Sequence, residues 1–429
     1  MGTAGRSGTV GALGSGGSVG SVAVVGAGLV GLSTAWHLQE RGVEVTVVDR
    51  TGVAAGASWG NAGWLTPALV APLPEPALLR YGLRALVSAS SPVYAPLRAD
   101  RDLARFMTGT LRHSTHRRWQ RSLAALLPLV QEALPEFDRL ASEGVAAPTL
   151  PADPLVAAFP RAALVGPLTD ELEDIAAAGG VVDYELVSGA VARRLVPILA
   201  ESVQAAVLIR GQRFLNPVTY VHTLADAVRA RGGEVVSGSA VTGVEDTGEG
   251  VRVTTSGAGG GRYDAVVLAA GAWLGRLARP FGVRHVVQGG RGYSFSVAAD
   301  PVPRTPVYLP TARVAVTPLG DRVRVAGMME LRRPDAALDP RRIRAIVEAA
   351  RPLLRGVDLD TRTDEWVGSR PVTVDGLPLI GATSSPRVFV ASGHGMWGVT
   401  LGPVTGRLLA EQVVTGRAPQ ALRPFDPLR

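Results

Sequence analysis

The sequence predicts an α/β fold in which a Rossmann-like sheet is interleaved with a second domain of antiparallel sheet plus helices. Three observations predict it. Ser21 to Asp49 reads as strand, glycine turn, helix, strand and acid. Two further strand-to-glycine-turn units follow far down the chain, at residues 263–273 and 388–400, so the first sheet is assembled from separated stretches. Between those two units the character changes. Gly292–Val297, Val302–Leu309, Val314–Thr317 and Arg322–Ala326 tend to alternate, with Pro and Gly punctuation between them. That is the pattern of an antiparallel sheet with one covered face.

The opening unit is the most informative. Val22–Val25 is a short apolar run typical of a buried parallel strand. Gly26, Gly28 and Gly31 form G-x-G-x-x-G. Gly26 lets the chain turn out of the strand, Gly28 lets a pyrophosphate approach the backbone, and Gly31 lets the helix pack against the sheet. Leu29 to Arg41 is helical, with Leu29, Leu32, Ala35, Trp36 and Leu38 for an inner face. Its N-terminus offers free N–H groups and a positive dipole end to phosphates. Glu44–Val48 is the second strand, and Asp49 beyond it can accept hydrogen bonds from ribose hydroxyls. A glycine turn without a ligand would leave Asp49 unexplained. The motif alone leaves FAD and NAD both open.

Composition removes several classes of chemistry. A chain of 429 residues allows two or three domains with real cores. All 44 basic side chains are Arg, since the sequence contains no Lys, and the formal net charge is +7. There is therefore no lysine Schiff base and no lysine-assisted activation of oxygen. Cys is absent, which excludes disulfides, thiolate metal sites and a thioether link to a cofactor. The six His are scattered without metal-ligand spacing, and no metal is expected. No Arg cluster is interleaved with aromatics, which argues against nucleic acid.

Residues 1–20 read as a flexible leader without the apolar core of a signal peptide. No spanning helix is expected. Pro67, Pro72, Pro74 and Pro76 suggest an extended crossing, and residues 81–143 read as two or three helices. Asp102–Leu127 is amphipathic, with Arg105, Arg112, Arg117, Arg118 and Arg121 on it and Arg101 just before. The simple reading is a solvated face, with His113 and His116 as surface residues. The sharper reading is docking to a membrane surface or an acidic electron acceptor. Asn216 before Pro217 starts a helix over 218–231, and 234–236 and 240–244 return to the first sheet. Pro340–Leu354 should be a helix, Val388–Ala391 a strand, and Gly402–Val414 a helix.

The glycine turn, the Asp49-Arg50 pair and the loop G-A-S-W-G-N-A-G (residues 56–63) together resemble the FAD-dependent amino acid oxidoreductases of the D-amino acid oxidase superfamily. Within it the chain looks most like the bacterial D-amino acid dehydrogenases. The resemblance covers nearly the whole chain and is most specific at its two ends. It implies that Ser58, Asn61, Ala62, Gly63 and Leu65 run along the FAD pyrophosphate and flavin. It implies contact of the Val241 backbone with the adenine, and a second pass of the chain by the FAD at Ala270 and Gly271. Trp366-Val-Gly-Ser-Arg370-Pro371 and Ser392-Gly-His-Gly-Met-Trp-Gly398 match its C-terminal signals. There Arg370 clamps a substrate carboxylate, and Gly395, Gly398, Val399 and Thr400 offer N–H groups to the flavin. For Arg370 the alternative is an ordinary ion pair. Tyr293 is a candidate for the substrate-facing wall, or else a half-buried sheet tyrosine. His394 lines the cavity or caps the loop, with a direct catalytic role as a third option. Glu330 is read as holding an Arg rather than acting as a base. With no His in the 56–63 loop and no Cys, the FAD should be noncovalent.

The domain reading that follows is a leader over 1–20, FAD-binding parts over 21–88, 213–282 and 365–429, and substrate-domain parts over 89–212 and 283–364. The implied activity is oxidative deamination of D-proline- or D-alanine-like amino acids, with hydride passing from Cα to flavin N5 and an imino acid leaving. Missing Lys tilts the acceptor toward a quinone or an electron-transfer protein. The expected location is cytoplasmic, with peripheral contact at the inner face of the membrane left open, as is the oligomeric state. Rival readings are a glycine or sarcosine-like secondary-amine oxidase, a non-catalytic flavin-binding subunit, and an NAD-dependent dehydrogenase.

Overall fold

The computed structural model describes residues 19–75, 93–95 and 100–429. The leader, apart from its last two residues, lies outside the described residues. So do Pro76 and residues 81–92, the start of the expected helical stretch.

Two sheets organise the molecule. The first has six strands in the order Glu234–Val236, Glu44–Val48 (β2), Ser21–Val25 (β1), Ala265–Leu268, Val388–Ser392, Leu379–Ala382. All neighbours are parallel except the last pair. Its strands are continuous apolar runs because both faces are covered. Val22 and Val24 point to a core shared with helix α1 (Leu29–Gln39) and helices Pro217–Ala230 and Gly398–Thr415. Ala23 and Val25 point the other way, to Val241, Val253, Leu274 and Phe281. Asn216 caps its helix as read, its Oδ1 accepting from the Val218 and Thr219 N–H groups. One reading is corrected. Glu234–Val236 joins this sheet, but Val241–Asp246 heads a separate antiparallel sheet with Val251–Thr255 and Gly261–Tyr263. Helix α1 is buried nearly all round, against the sheet on one side and helix 398–415 on the other.

The second sheet is larger and mostly antiparallel. Its order is Thr363–Val372, Gln288–Ala298, Arg322–Leu331, Val314–Leu319, Val307–Leu309, Leu155–Phe159, Ala205–Ile209, Tyr184–Ser188, with Val93–Tyr94 beside Arg322–Leu331. Helix Pro340–Ala350 covers one face through Ile343 and Ile346. The strand expected over Val302–Leu309 is confined to 307–309, because Pro303 and Pro306 supply no N–H to a ladder. The strand that carries Trp366 and Arg370 pairs with this sheet, so the last crossing back to the first sheet lies after Val372 rather than at residue 365.

Helices Arg101–His113 and His116–Ser142 form one flank, the first capped by Asp100, whose carboxylate accepts from the Asp102 and Leu103 N–H groups. Arg101, Arg105, Arg112, Arg117, Arg118 and Arg121 are all exposed. No helix among the described residues is long and apolar enough to cross a membrane.

Candidate active site

A cavity of about 1160 Å³ runs between the two sheets, from Asp49 and Val241 past the glycine turn to Arg370 and His394. It exceeds the usual size of a small-ligand pocket, as an extended dinucleotide needs. The glycine turn has no room for side chains. At Gly26 φ is +118°, and a Cβ there would lie 2.4 Å from the Ala269 carbonyl oxygen. A Cβ on Gly31 would lie 2.0 Å from the Gly26 oxygen. Gly28 caps α1 and lines the cavity, and the first N–H groups of the helix open toward it. The Asp49 carboxylate also holds the turn, accepting from the Ala27, Thr51 and Gly52 N–H groups at 2.8–2.9 Å. Ala240 and Val241 line the same end. Arg50 stands at the rim, stacked 3.7 Å from the Trp273 ring centroid and paired with Asp335 at 3.2 Å. Trp273 Nε1 donates to the same carboxylate.

The small-residue loop divides into two layers. Ser58 and Asn61 line the cavity. Asn61 also shapes the loop, donating to the Ser58 carbonyl and accepting from the Gly63 N–H. Ala62, Gly63 and Leu65 lie behind: the Ala62 carbonyl accepts from Thr317 Oγ1, Gly63 packs on the Leu215 carbonyl, and Leu65 is in the core. Ala270 and Gly271 line the cavity, as do Gly395, Gly398 and Val399. Thr400 does not; it is buried with Oγ1 donating to the Trp64 carbonyl. The free N–H groups at the start of helix 398–415 therefore face a second end of the cavity, where an electron-rich ring edge is stabilised.

Arg370 is the decisive side chain. It reaches across Gly292, where a Cβ would sit 2.3 Å from the guanidinium carbon, and donates Nη1 to the Met328 carbonyl at 3.0 Å. Met328 adopts φ +63°, rare for a non-glycine residue, at that point. Burial lowers the Arg370 pKa to about 10, and among the described residues no carboxylate pairs with it. A desolvated guanidinium that lines a cavity without a counter-ion is built for an anion brought from outside.

Tyr293 is not on the cavity wall. It is fully buried against the helix 340–350 side of the sheet, and its hydroxyl donates to Glu330 at 2.6 Å. Tyr293 falls on that face with Phe295 and Val297 by regular alternation, and the bulge opposite it belongs to the partner strand, where two residues separate Glu330 from Gly327. Glu330 holds Arg291 at 3.0 Å and Arg332 at 3.4 Å, in line with its reading as an arginine partner. His394 lines the cavity with Nε2 3.0 Å from Thr405 Oγ1, and burial pushes it down to about 4, so it is neutral near pH 7. The sequence reading missed Gly292 and Trp64. An isolated glycine within a strand was the available signal for the first. For Trp64 there was none, since its place is fixed by Thr317 and Thr400 from distant elements.

A family model described as FAD dependent oxidoreductase matches residues 21–412. The chain belongs to this family. The oxidoreductase is 30% identical over 415 residues to a D-amino acid dehydrogenase of Phenylobacterium zucineum, covering 94% of this chain and 95% of that one. A D-amino acid dehydrogenase of Rhizorhabdus wittichii is 28% identical over 405 residues, 92% and 96% of the two chains. Among solved structures, glycine oxidase from Geobacillus kaustophilus superposes with a TM-score of 0.74 at 23% identity, covering 95% and 98%. The cofactor is FAD, and the cavity fits it. The oxidoreductase offers two helix N-termini, side-chain-free backbone at Gly26 and Gly28, and an acid at Asp49.

Proposed function

We propose that this oxidoreductase is a D-amino acid dehydrogenase, and Arg370 is the observation that carries the reading. Its unpaired guanidinium matches an α-carboxylate bidentately and orients it. The Met328 carbonyl fixes one nitrogen of the fork, and Gly292 leaves the space the fork occupies. The flavin, when bound, accepts the hydride equivalent of the oxidation. His394 stays uncharged and so does not compete with Arg370 for the carboxylate. No strong base is needed once the substrate amine is deprotonated, and positioning carries much of the rate. The imino acid product hydrolyses in water. Preference for the D series is supported by the names of the curated relatives.

The reading extends to the acceptor. Without Lys, a quinone or an electron-transfer protein is favoured over oxygen. The exposed arginines at 101–121 suit an anionic docking surface, on a cytoplasmic protein that meets the inner face of the membrane. The test is an anaerobic visible spectrum of the purified protein titrated with paired D- and L-amino acids, then opened to air. Bleaching by D-isomers with slow recolouring supports a dehydrogenase. Fast recolouring with peroxide, or bleaching by glycine and sarcosine alone, makes it an oxidase. A yellow protein that nothing bleaches rejects the enzyme reading.

A further inference from the structure

We propose that Asp335 closes the mouth of the FAD cavity. Its carboxylate clasps Trp273 and Arg50 from across the cleft, so FAD enters and leaves only when that clasp opens. The proposal rests on FAD as the cofactor and is independent of the substrate.

A rigid strap presents the carboxylate. Residues 332–337 lead from strand Arg322–Leu331 toward helix Pro340–Ala350. Arg333-Pro334-Asp335-Ala336 forms a β-turn, closed by the Ala336 N–H donating to the Arg333 carbonyl at 3.2 Å, with Pro at the second position, where its fixed φ fits. Side chains of the second sheet hold the strap by its backbone. The Arg332 carbonyl accepts from Gln288 Nε2 at 3.0 Å and the Pro334 carbonyl from Ser369 Oγ at 3.0 Å. The Ala336 and Ala337 carbonyls accept from Arg291 Nη2 at 2.6 and 3.0 Å. Arg291 is itself fully buried and paired with Glu330. The Glu330–Arg291 pair thus anchors a strap beside the cavity.

The partners come from the side of the first sheet. Trp273 closes the short helical turn Gly271–Trp273 after strand Ala265–Leu268, and Arg50 follows Asp49. Trp273 Nε1 donates to Asp335 Oδ1 at 2.8 Å, and Arg50 Nη1 donates to the same oxygen at 3.2 Å. The Arg50 guanidinium lies 3.7 Å from the indole centroid, so the two donors brace each other. An exposed ion pair alone adds little, but here two donors converge on one carboxylate oxygen. All three side chains line the cavity, yet Arg50 and Asp335 are 44% and 67% exposed. Groups that line a cavity and still meet solvent stand at its mouth. Two looser contacts of opposite charge continue the rim, Arg333 with Asp100 and Arg279 with Asp102, each at 3.9 Å, and these residues line the cavity too. A dinucleotide lying along the cavity is behind this bridge and passes only when the bridge parts. With the strap held by its backbone, the moving parts are the exposed side chains, which change rotamer readily.

The test measures FAD uptake by the full-length apoprotein and FAD release from the loaded protein on dilution, both read from flavin fluorescence. A clasp that shuts the mouth with or without FAD slows both directions alike. Asp335→Ala should therefore speed uptake and release together, each by about tenfold. The dissociation constant should stay within about threefold of wild type. Asp335→Asn keeps an oxygen for the indole N–H but loses the charge, and should speed both rates by about threefold. Faster release with unchanged uptake would make Asp335 a direct FAD contact. Faster uptake with unchanged release would make it a charge that repels the phosphates. No change in either rate would make the clasp an idle surface pair. Each of these three outcomes overturns the proposal, and none of them bears on whether D-amino acids reduce the flavin.

Discussion

At the scale of single residues, burial keeps two groups that line the cavity away from their usual partners. Arg370 is a cation without a carboxylate partner among the described residues, so under the proposed function removing it loses the substrate anchor. Arg370→Ala should raise the apparent substrate constant by roughly two orders of magnitude, on the order of 3 kcal/mol. The protein should stay yellow, because the glycine turn, Asp49 and both helix N-termini are untouched. A substrate constant within a factor of about three of wild type would remove Arg370 from the site. His394 is the converse, a base kept neutral. In the unfolded chain its imidazole binds a proton below about pH 6.5, but in the folded protein only below about 4. The unfolded state therefore binds more protons across that window, and stability falls as pH drops from 6.5 toward 4. The loss approaches about 3 kcal/mol at the acid end. His394→Asn removes the titration, so its melting temperature should decline less over that window than that of the wild type. Parallel declines would mean that His394 is not the group responsible.

At the scale of elements, the cofactor site is a pair of helix N-termini held at fixed separation. Helix α1 and helix 398–415 touch backbone to backbone, since a Cβ at Gly406 would lie 2.6 Å from the Ser33 carbonyl carbon. Gly406→Ala forces the helices apart. It should destabilise the apoprotein by about 1–3 kcal/mol, the usual effect of overpacking, and weaken FAD binding, because the N–H groups at Gly28 and Gly398 no longer face one cavity. Thermal melting and flavin fluorescence read the two effects, and an unchanged melting temperature would show that the contact yields freely. The glycine turn was legible in the sequence because strand, turn and helix are consecutive, so spacing alone fixes the geometry. Arg370 was legible through its Arg-Pro context. Tyr293 was legible only as a sheet tyrosine: in Gly-Tyr-Ser-Phe-Ser-Val it shares the apolar face with Phe295 and Val297, which packs on helix 340–350, while Gly292 and Ser294 take the opposite face toward Arg370 and the small-residue loop. Leu65 and Thr400 sit in the right loops, but their side chains brace those loops from behind.

At the scale of the whole molecule, the fold class was legible and the meeting of its parts was not. The apolar runs and glycine turns declare two sheets, but Gly292, Met328 and Arg370 meet only through strand order. No spacing rule connects three positions so far apart in the chain. The interleaving also decides how the protein should melt. Gly26, Gly28, Asp49, Val241, Gly395 and Gly398 line the FAD cavity from the first sheet and its loops, while Gln288, Pro334, Asp335 and Arg370 line it from the second. A ligand held by both sets stabilises both together. FAD at a hundredfold excess over its dissociation constant adds about 2.7 kcal/mol. For a chain of 429 residues the unfolding entropy is about 0.9 kcal/mol per kelvin, so the melting temperature should rise by about 3 °C. The rise should be common to reporters in either part. Trp36 packs in the core of the first sheet, and Trp366 stands on the second beside Gly60. Single-tryptophan variants at these two sites should shift by the same amount on adding FAD. A shift at Trp36 with none at Trp366 would mean that the cofactor is gripped by the first sheet alone, and that the Arg370 end of the cavity closes only when substrate arrives.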